Sequence, residues 1–302
     1  MLVYKDSILS ERFYLCYMKK ERIILITGAT SGFGKRAAEY IASKGYTVFG
    51  TGRRAPEGSI ENNVHLLRMD VTDPDSVQRG VERIISEHGR IDVLINNAGS
   101  GIAGSLEMAS TEDIHLQMDT NFYGTVNVTK AVLPHMRRAR NGRIICISSI
   151  AGCFSIPYQG YYSASKFAIE GFCEALAIEV RRFGIRVAIV EPGDFKTGFT
   201  SARKSCNRTL EEPDYSESFR KTLASIEKDE QENGADPIRV ARLLLRLSTR
   251  KHIRFRNKVG PFIQVTFAKI VPILPDALVS RLVALFYSIP FGISDRTLSR
   301  QK

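Results

Sequence analysis

Apolar residues fall along this chain in two rhythms. Short unbroken runs stand at Arg22–Thr27, Tyr46–Thr51, Val64–Met69, Ile91–Ile95, Arg143–Ser148 and Ile185–Val190. Runs of that length without polar alternation suit strands buried on both faces of a parallel sheet. Between them, apolar residues recur at helical spacing. They predict one helix from the glycines after Thr27 to Lys44, one opened by Asp73-Pro74, a long one over Thr111–Met136 and another over Ser163–Phe183. Strand alternating with helix in this way is the pattern of an α/β fold.

Beyond Thr197 the rhythm weakens. Gly198–Asp236 is polar and charge-rich, with one predicted helix over Ser216–Asn233. Asp236-Pro237 then opens an amphipathic helix to about Arg250, followed by the strand-like HIRFR at 252–256. From Val259 apolar residues dominate, yet Lys269, Asp276, Arg281 and several prolines interrupt them. No run reaches the ~20 uninterrupted apolar residues that span a bilayer. Three readings of 259–302 stay open: helices covering the pocket and core, an interfacial anchor with its apolar face toward anionic lipid, or an oligomer interface.

At 302 residues and 43% hydrophobic, the chain can bury a sizeable core. The net charge of +11 is confined to the last fifth: from Pro237 onward, thirteen lysines and arginines face Asp276 and Asp295. A solvated basic tail is the plain explanation; a membrane surface or an acidic substrate group are the alternatives. No nucleic-acid-binding motif accompanies the charge, so nucleic acid is not expected as a partner. The five cysteines are scattered, odd in number and never paired as CxxC, which fits a reducing, cytoplasmic setting. Neither they nor the five scattered histidines offer metal-ligand spacing. With charges at Lys5, Asp6, Glu11 and Arg12, residues 1–17 are not expected to be a secretory leader. That segment is expected to be an appendage, or absent if Met18 is the true start. Domain organisation is then an extension over 1–18 and a single unit over 19–302.

The chemistry gathers where strands end. The first run meets Thr27-Gly28-Ala29-Thr30-Ser31-Gly32-Phe33-Gly34, whose glycines let the backbone approach a pyrophosphate at a helix N-terminus. The second strand ends in Gly52-Arg53-Arg54, with no carboxylate for a ribose hydroxyl. An arginine pair suits a 2′-phosphate, so NADP(H) is the expected cofactor and NAD(H) the alternative; two solvated loop arginines would look the same. Asp70, with Val71 beside it, ends the third strand, either facing an adenine or capping a turn. The fourth ends in Asn96-Asn97-Ala98-Gly99, small residues of the kind found at a ligand crevice. Asn121 interrupts the long helix, where asparagine fits only if its side chain has a task such as holding a bent backbone.

The fifth strand opens the densest stretch, ISSIAGCFSIPYQGYYSASK over 147–166. Tyr162 and Lys166 lie four apart, on one helical face. The ammonium is expected to lower the phenol's pKa, and Ser149 to donate to the same substrate oxygen, which suits proton exchange with a carbonyl or alcohol. Tyr161 has Ser165 as its fourth neighbour and is assigned to packing or the substrate wall. After the sixth strand come Pro192-Gly193 and Thr197.

TGATSGFG at 27–34, Asp70, NNAG at 96–99, Asn121, Ser149, YSASK at 162–166 and PGDFKT at 192–197 together resemble the short-chain dehydrogenase/reductase superfamily, over roughly residues 20–200. The resemblance implies a Rossmann-type doubly wound sheet in three layers, with a C-terminal helical extension that binds substrate and a substrate lid over 198–236. It implies Tyr162 as acid/base, Lys166 on the nicotinamide ribose, Ser149 orienting the substrate oxygen, Asn121 holding a relay water and Thr197 near the carboxamide. It also implies a homodimer or homotetramer. One departure is Ser31, where many NADP-dependent members carry a basic residue. The expected substrate is a lipophilic ketone or alcohol: a steroid, a retinoid or a long-chain 3-keto lipid. The alternatives are a dinucleotide-binding sensor or scaffold that never turns over, against which the intact Asn–Ser–Tyr–Lys set argues, and a membrane-surface protein of the same fold whose tail is its main functional part.

Overall fold

The runs read as buried strands form one sheet. In a computed structural model that describes residues 22–198 and 202–289, they are β1 (Ile23–Ile26), β2 (Thr47–Gly52), β4 (Val64–Arg68), β5 (Val93–Asn96), β7 (Gly142–Ile147) and β8 (Ile185–Pro192). Residues 1–21, with the expected start at Met18, and the tail from 290 lie outside the described residues. A seventh parallel strand, β10 (Arg256–Val259), pairs with β8. A two-residue strand that the sequence did not signal, β3 (Ile60–Glu61), adds antiparallel to β4. The order is β10-β8-β7-β5-β1-β2-β4-β3. It runs outward in opposite directions from β1 and β5, so the crevice between their carboxyl ends is the switch point of a doubly wound sheet.

Alternate residues of the strands feed two cores. Ile23 and Leu25 face the layer of α2 (Pro74–His88), α4 (Gly124–Ala139) and α5 (Gly160–Val180), whose Val81, Val132 and Ile169 are buried with them. Ile24 and Ile26 face α1 (Gly32–Ala42) and α8 (Ile238–Thr249), through Ile41 and Leu244. Local signals set the helix ends: the Asp73 side chain accepts from Asp75 N with Pro74 behind it, and Gly89 turns left-handed at the other end.

The helix expected over Thr111–Met136 is three pieces: α3 (Thr111–Met118), one π turn over Asp119–Tyr123, and α4. The π turn is centred on Asn121, whose side chain bonds to a loop and a second helix that the local sequence does not contain. The lid segment also has more order than its composition suggested. β6 (Ile102–Ala103) pairs with β9 (Lys204–Ser205), and α6 (Asn207–Glu211) and α7 (Pro213–Glu232) follow. The apolar tail forms α9 (Phe262–Ile270) and α10 (Asp276–Phe286). Together with α7 they bury a third cluster of Ile150, Phe154, Ile226, Ala268, Val283 and Tyr287. No helix of the described residues is long and apolar enough to cross a membrane.

The strand anticipated at 252–256 lies instead at 256–259, and buried charge explains the shift. Glu191 of β8 is fully buried. Arg256 and Lys258, two apart and so on one face of β10, both reach it, Lys258 Nζ at 3.0 Å from Oε1. Arg256 also pairs with Glu170 and Glu174 of α5. Removing Arg256 leaves Glu191 with Lys258 alone and takes from buried Glu170 its ion-pair partner among the described residues. Arg256→Ala is therefore expected to cost about 3 kcal/mol and lower Tm by several degrees, with Arg256→Lys in between. An unchanged Tm in thermal unfolding would show that the network does not hold β10.

Candidate active site

The switch point is tied shut by backbone and amide bonds. Thr27 Oγ1 accepts from the backbone N–H of Asn97 and of Ala98, each at 3.0 Å. The Asn97 side-chain amide donates back to Thr27 O at 2.9 Å and Gly28 O at 3.1 Å. A side chain at Gly34 would run into Gly28 O and the Asn97 amide, so the turn closes only with glycine there. Gly32 differs: its φ is +53° and nothing lies within 4 Å of where a Cβ would stand. Thr30 and Ser31 are exposed beside it, and Ser31, at the N-cap of α1, makes no side-chain cap bond. The helix end thus presents open N–H groups with no acidic residue in its first turn, a cradle that fits a pyrophosphate. Phe33 is a packing residue, edge-on to Phe195 at 5.1 Å. Gly99 is exposed beyond Ala98.

Arg53 and Arg54 stand exposed on the turn after β2, and among the described residues no carboxylate pairs with them. Their guanidinium groups are open to an anionic ligand. Asp70 is occupied locally, its Oδ1 accepting from Thr72 N at 2.9 Å and Thr72 Oγ1 at 2.8 Å. Val71 is buried against the Asn121 turn, and its carbonyl accepts from Asn127.

Asn121 ties the loop after Gly99 to α5. Its Oδ1 accepts from Ser100 N at 2.8 Å, and its Nδ2 donates to Ser100 O at 3.1 Å and Ser165 Oγ at 3.0 Å. Ser165, the neighbour of Lys166, carried no sequence signal of this role, because a helical serine usually bonds only its own backbone, as this one also does to Tyr162 O.

Ser149 ends β7 and is buried. Its Oγ accepts from Ala151 N at 3.1 Å and lies 3.4 Å from Pro192 O, at the carboxyl end of β8. Gly193 donates to Val259 O at 2.8 Å, and Thr197 lies half-buried beyond it. The Tyr162 phenol is buried, and burial pushes it up to about 12, while a hydrogen bond from Ser149 pulls it back. This reverses the direction expected from the helical spacing. The Lys166 ammonium donates to Ile147 O at 3.0 Å and sits 5.6 Å from the centre of the Tyr162 ring, not on the hydroxyl. Burial lowers Lys166 to about 8. Desolvation of both groups outweighs their attraction, which is why spacing alone gave the wrong sign. Tyr161 points away, donating to Leu106 O at 3.1 Å.

The third apolar cluster includes Ile150, next to Ser149 in the chain, and Phe154, packed with Ile226, Val283 and Tyr287 of the cap formed by α7 and the tail. Arg203, Glu230 and Asp194 are near enough for their charges to act on the phenol. None of these cap residues stood out in the sequence, because Arg203 and Glu230 are ordinary members of a charge-rich segment until folding buries them. Among the described residues no group of three or more His, Cys, Asp or Glu could share a metal ion.

Residues 22–207 match the family model for short chain dehydrogenases. The chain is 52% identical, over 268 residues, to a 3-ketodihydrosphingosine reductase of Bacteroides thetaiotaomicron, covering 89% of this chain and 98% of that protein. It superposes on a short-chain dehydrogenase from Streptomyces avermitilis with a TM-score of 0.73 and 31% identity, covering 86% of this chain and 96% of that one. It also superposes on the closed form of serine dehydrogenase complexed with NADP+, with a TM-score of 0.67 and 28% identity over 80% and 95% of the two chains. Sheet order, crevice and matched length agree, and the chain belongs to the short-chain dehydrogenases, a family of oxidoreductases.

Proposed function

We propose that the protein is an NADP(H)-dependent reductase of a long-chain 3-keto lipid. The carrying observation is the hydrogen bond between Ser149 and the buried Tyr162 phenol, next in the chain to Ile150 of an apolar cluster shared with the tail. The half-identical relative, a 3-ketodihydrosphingosine reductase, supports the substrate class. NADP+ in the serine dehydrogenase neighbour and the open Arg53–Arg54 pair support the cofactor. Coenzyme contacts are assigned to Thr27, Gly28, Thr30, Ser31, Gly32, Gly34, Asp70, Val71, Asn97, Ala98, Gly99, Pro192, Gly193 and Thr197, with the 2′-phosphate on Arg53 and Arg54.

A bound nicotinamide supplies hydride to the carbonyl carbon. The chain's own part is the proton. With the phenol held near 12, Tyr162 is protonated at neutral pH and donates to the carbonyl oxygen as negative charge grows there. Ser149 donates a second hydrogen bond to that oxygen and orients it. Lys166, near 8 and so mostly charged at neutral pH, keeps a positive charge behind the ring for the phenolate that proton transfer leaves. Asn121 holds the loop and helix that set these distances, and its bent backbone is assigned the relay water. Residues from 19 onward act as one catalytic unit. Exposed Tyr123, Phe167 and Ile178 support a homo-oligomer packed through α4 and α5.

The cap also supports contact with a lipid surface, where such a substrate resides. Phe262, Ile263, Ile270, Ile273, Leu278, Leu282, Leu285 and Phe286 are all exposed on α9, α10 and their connection. The same end of the chain carries the whole positive excess, complementary to anionic lipid.

Tyr162→Phe is expected to lower kcat for NADPH-dependent reduction at least 100-fold, over ~2.7 kcal/mol of barrier, with Tm unchanged. A rate within about tenfold of wild type contradicts the role. Arg53→Ala combined with Arg54→Ala should raise KM for NADPH about tenfold or more and leave KM for NADH nearly constant. If wild-type protein uses NADH as well as NADPH, the phosphate assignment fails. In flotation, wild-type protein should rise with vesicles containing phosphatidylserine and much less with neutral vesicles, and Ile263→Ser with Leu285→Ser should abolish most of the difference. Equal recovery with both vesicles argues against the docking face.

A further inference from the structure

The lid brings to the mouth of the site a buried ion pair for which the proton transfer above has no use. Arg203 Nη2 donates to Glu230 Oε1 at 2.7 Å, with side chains only 4% and 11% exposed. Three more of their atoms are buried without a hydrogen-bond partner among the described residues: Arg203 Nε, Arg203 Nη1 and Glu230 Oε2. Unpartnered polar atoms of this kind are costly in a clamp and useful in a binding site.

The chain places the pair over the reacting centre. Ala235 donates to Asp194 O at 3.0 Å and Lys196 to Ala235 O at 3.1 Å, stitching the end of the lid onto the residues just past Pro192. Glu230 lies one helical turn beyond Ile226, which is buried with Ile150 and Phe154 beside Ser149. That face of α7 runs from apolar residues to a carboxylate as it nears Tyr162. The charges of Arg203, Glu230 and Asp194 all act on the phenol, and they act on the Tyr287 hydroxyl together with that of Asp229.

The balance of charge selects the ligand. Glu230 and Asp194 face one guanidinium, and Asp194 finds otherwise the neutral amide of Gln264. Burial pushes Glu230 up to about 7 and raises Asp194 too, as for carboxylates short of positive neighbours. A cation placed beside Glu230 returns it to the carboxylate, whereas an anionic head group would find only the Arg203 guanidinium as a partner. A cation is attracted, and a hydroxyl can use the spare guanidinium donors.

We propose that the Arg203–Glu230 pair binds the polar head of the substrate, with Glu230 Oε2 accepting from an ammonium on the carbon beside the carbonyl and Arg203 donating to a neighbouring hydroxyl. The assignment rests on the ketoreductase reading and narrows it to a 2-amino-3-keto lipid whose chain lies along Ile226, Phe154 and Val283.

Three ketones of one chain length test it with NADPH: the free 2-amino-3-ketone, its N-acetyl derivative and the 3-ketone without nitrogen. Wild-type kcat/KM for the free amine should exceed both others about tenfold or more, the size of a charge-assisted hydrogen bond. Glu230→Gln should lower that preference ratio about tenfold, chiefly through KM, a readout that a merely looser lid would leave unchanged. An unaltered ratio in a folded Glu230→Gln protein, verified by Tm and coenzyme binding, overturns the proposal. Should that variant fail to fold, the wild-type comparison decides, and equal efficiency with all three ketones overturns it. Wild-type protein that reduces none of the three while reducing another carbonyl removes the ketoreductase reading itself, and the proposal with it.

Discussion

Lys166 leaves water when the chain folds, and its ammonium meets the carbonyl of Ile147 in the strand that ends at Ser149. A buried ammonium is tolerated only where such acceptors await it, so the contact fixes how far α5 slides along β7. That one registration decides whether Tyr162, a turn earlier, comes opposite Ser149. It also aligns Ser165 with Asn121, and Glu170, a turn later, with Arg256. One face of α5 therefore carries Tyr162 and Lys166 at its start and structural ion pairing further on.

Much of this was legible beforehand where local chemistry suffices. Unbroken apolar runs became strands buried on both faces, and the glycine loop, NNAG and Asp73-Pro74 fell where strand ends and helix starts require them. Legibility failed where the deciding partner is distant. The π turn at Asn121 needs Ser100 and Ser165, and the register of β10 answers to Glu191, 65 residues before Arg256. The sign of the Tyr162 shift is set first by burial in the folded chain, which four-residue spacing cannot report. The Arg203–Glu230 pair was invisible for the same reason: burial, not residue type, sets it apart.

The molecule divides its labour between rigid and removable parts. The coenzyme crevice is closed by bonds among Thr27, Gly28, Asn97 and Ala98, all at strand ends of the central sheet. The roof is separate, held by apolar contact and by a few polar links such as Thr222 to Tyr287 O and Gln264 to Asp194. The two parts are thus held differently, one by hydrogen bonds at strand ends and the other chiefly by apolar contact.

The margins of the sheet have a consequence of their own. A parallel sheet that ends in a long, bare, apolar strand invites a neighbour to add on, and crowding makes that worse. Here one margin is two residues long, and the other alternates Arg256 and Lys258 before Gly260 and Pro261 end it. Neither offers the long, flat template that strand addition from a second chain requires.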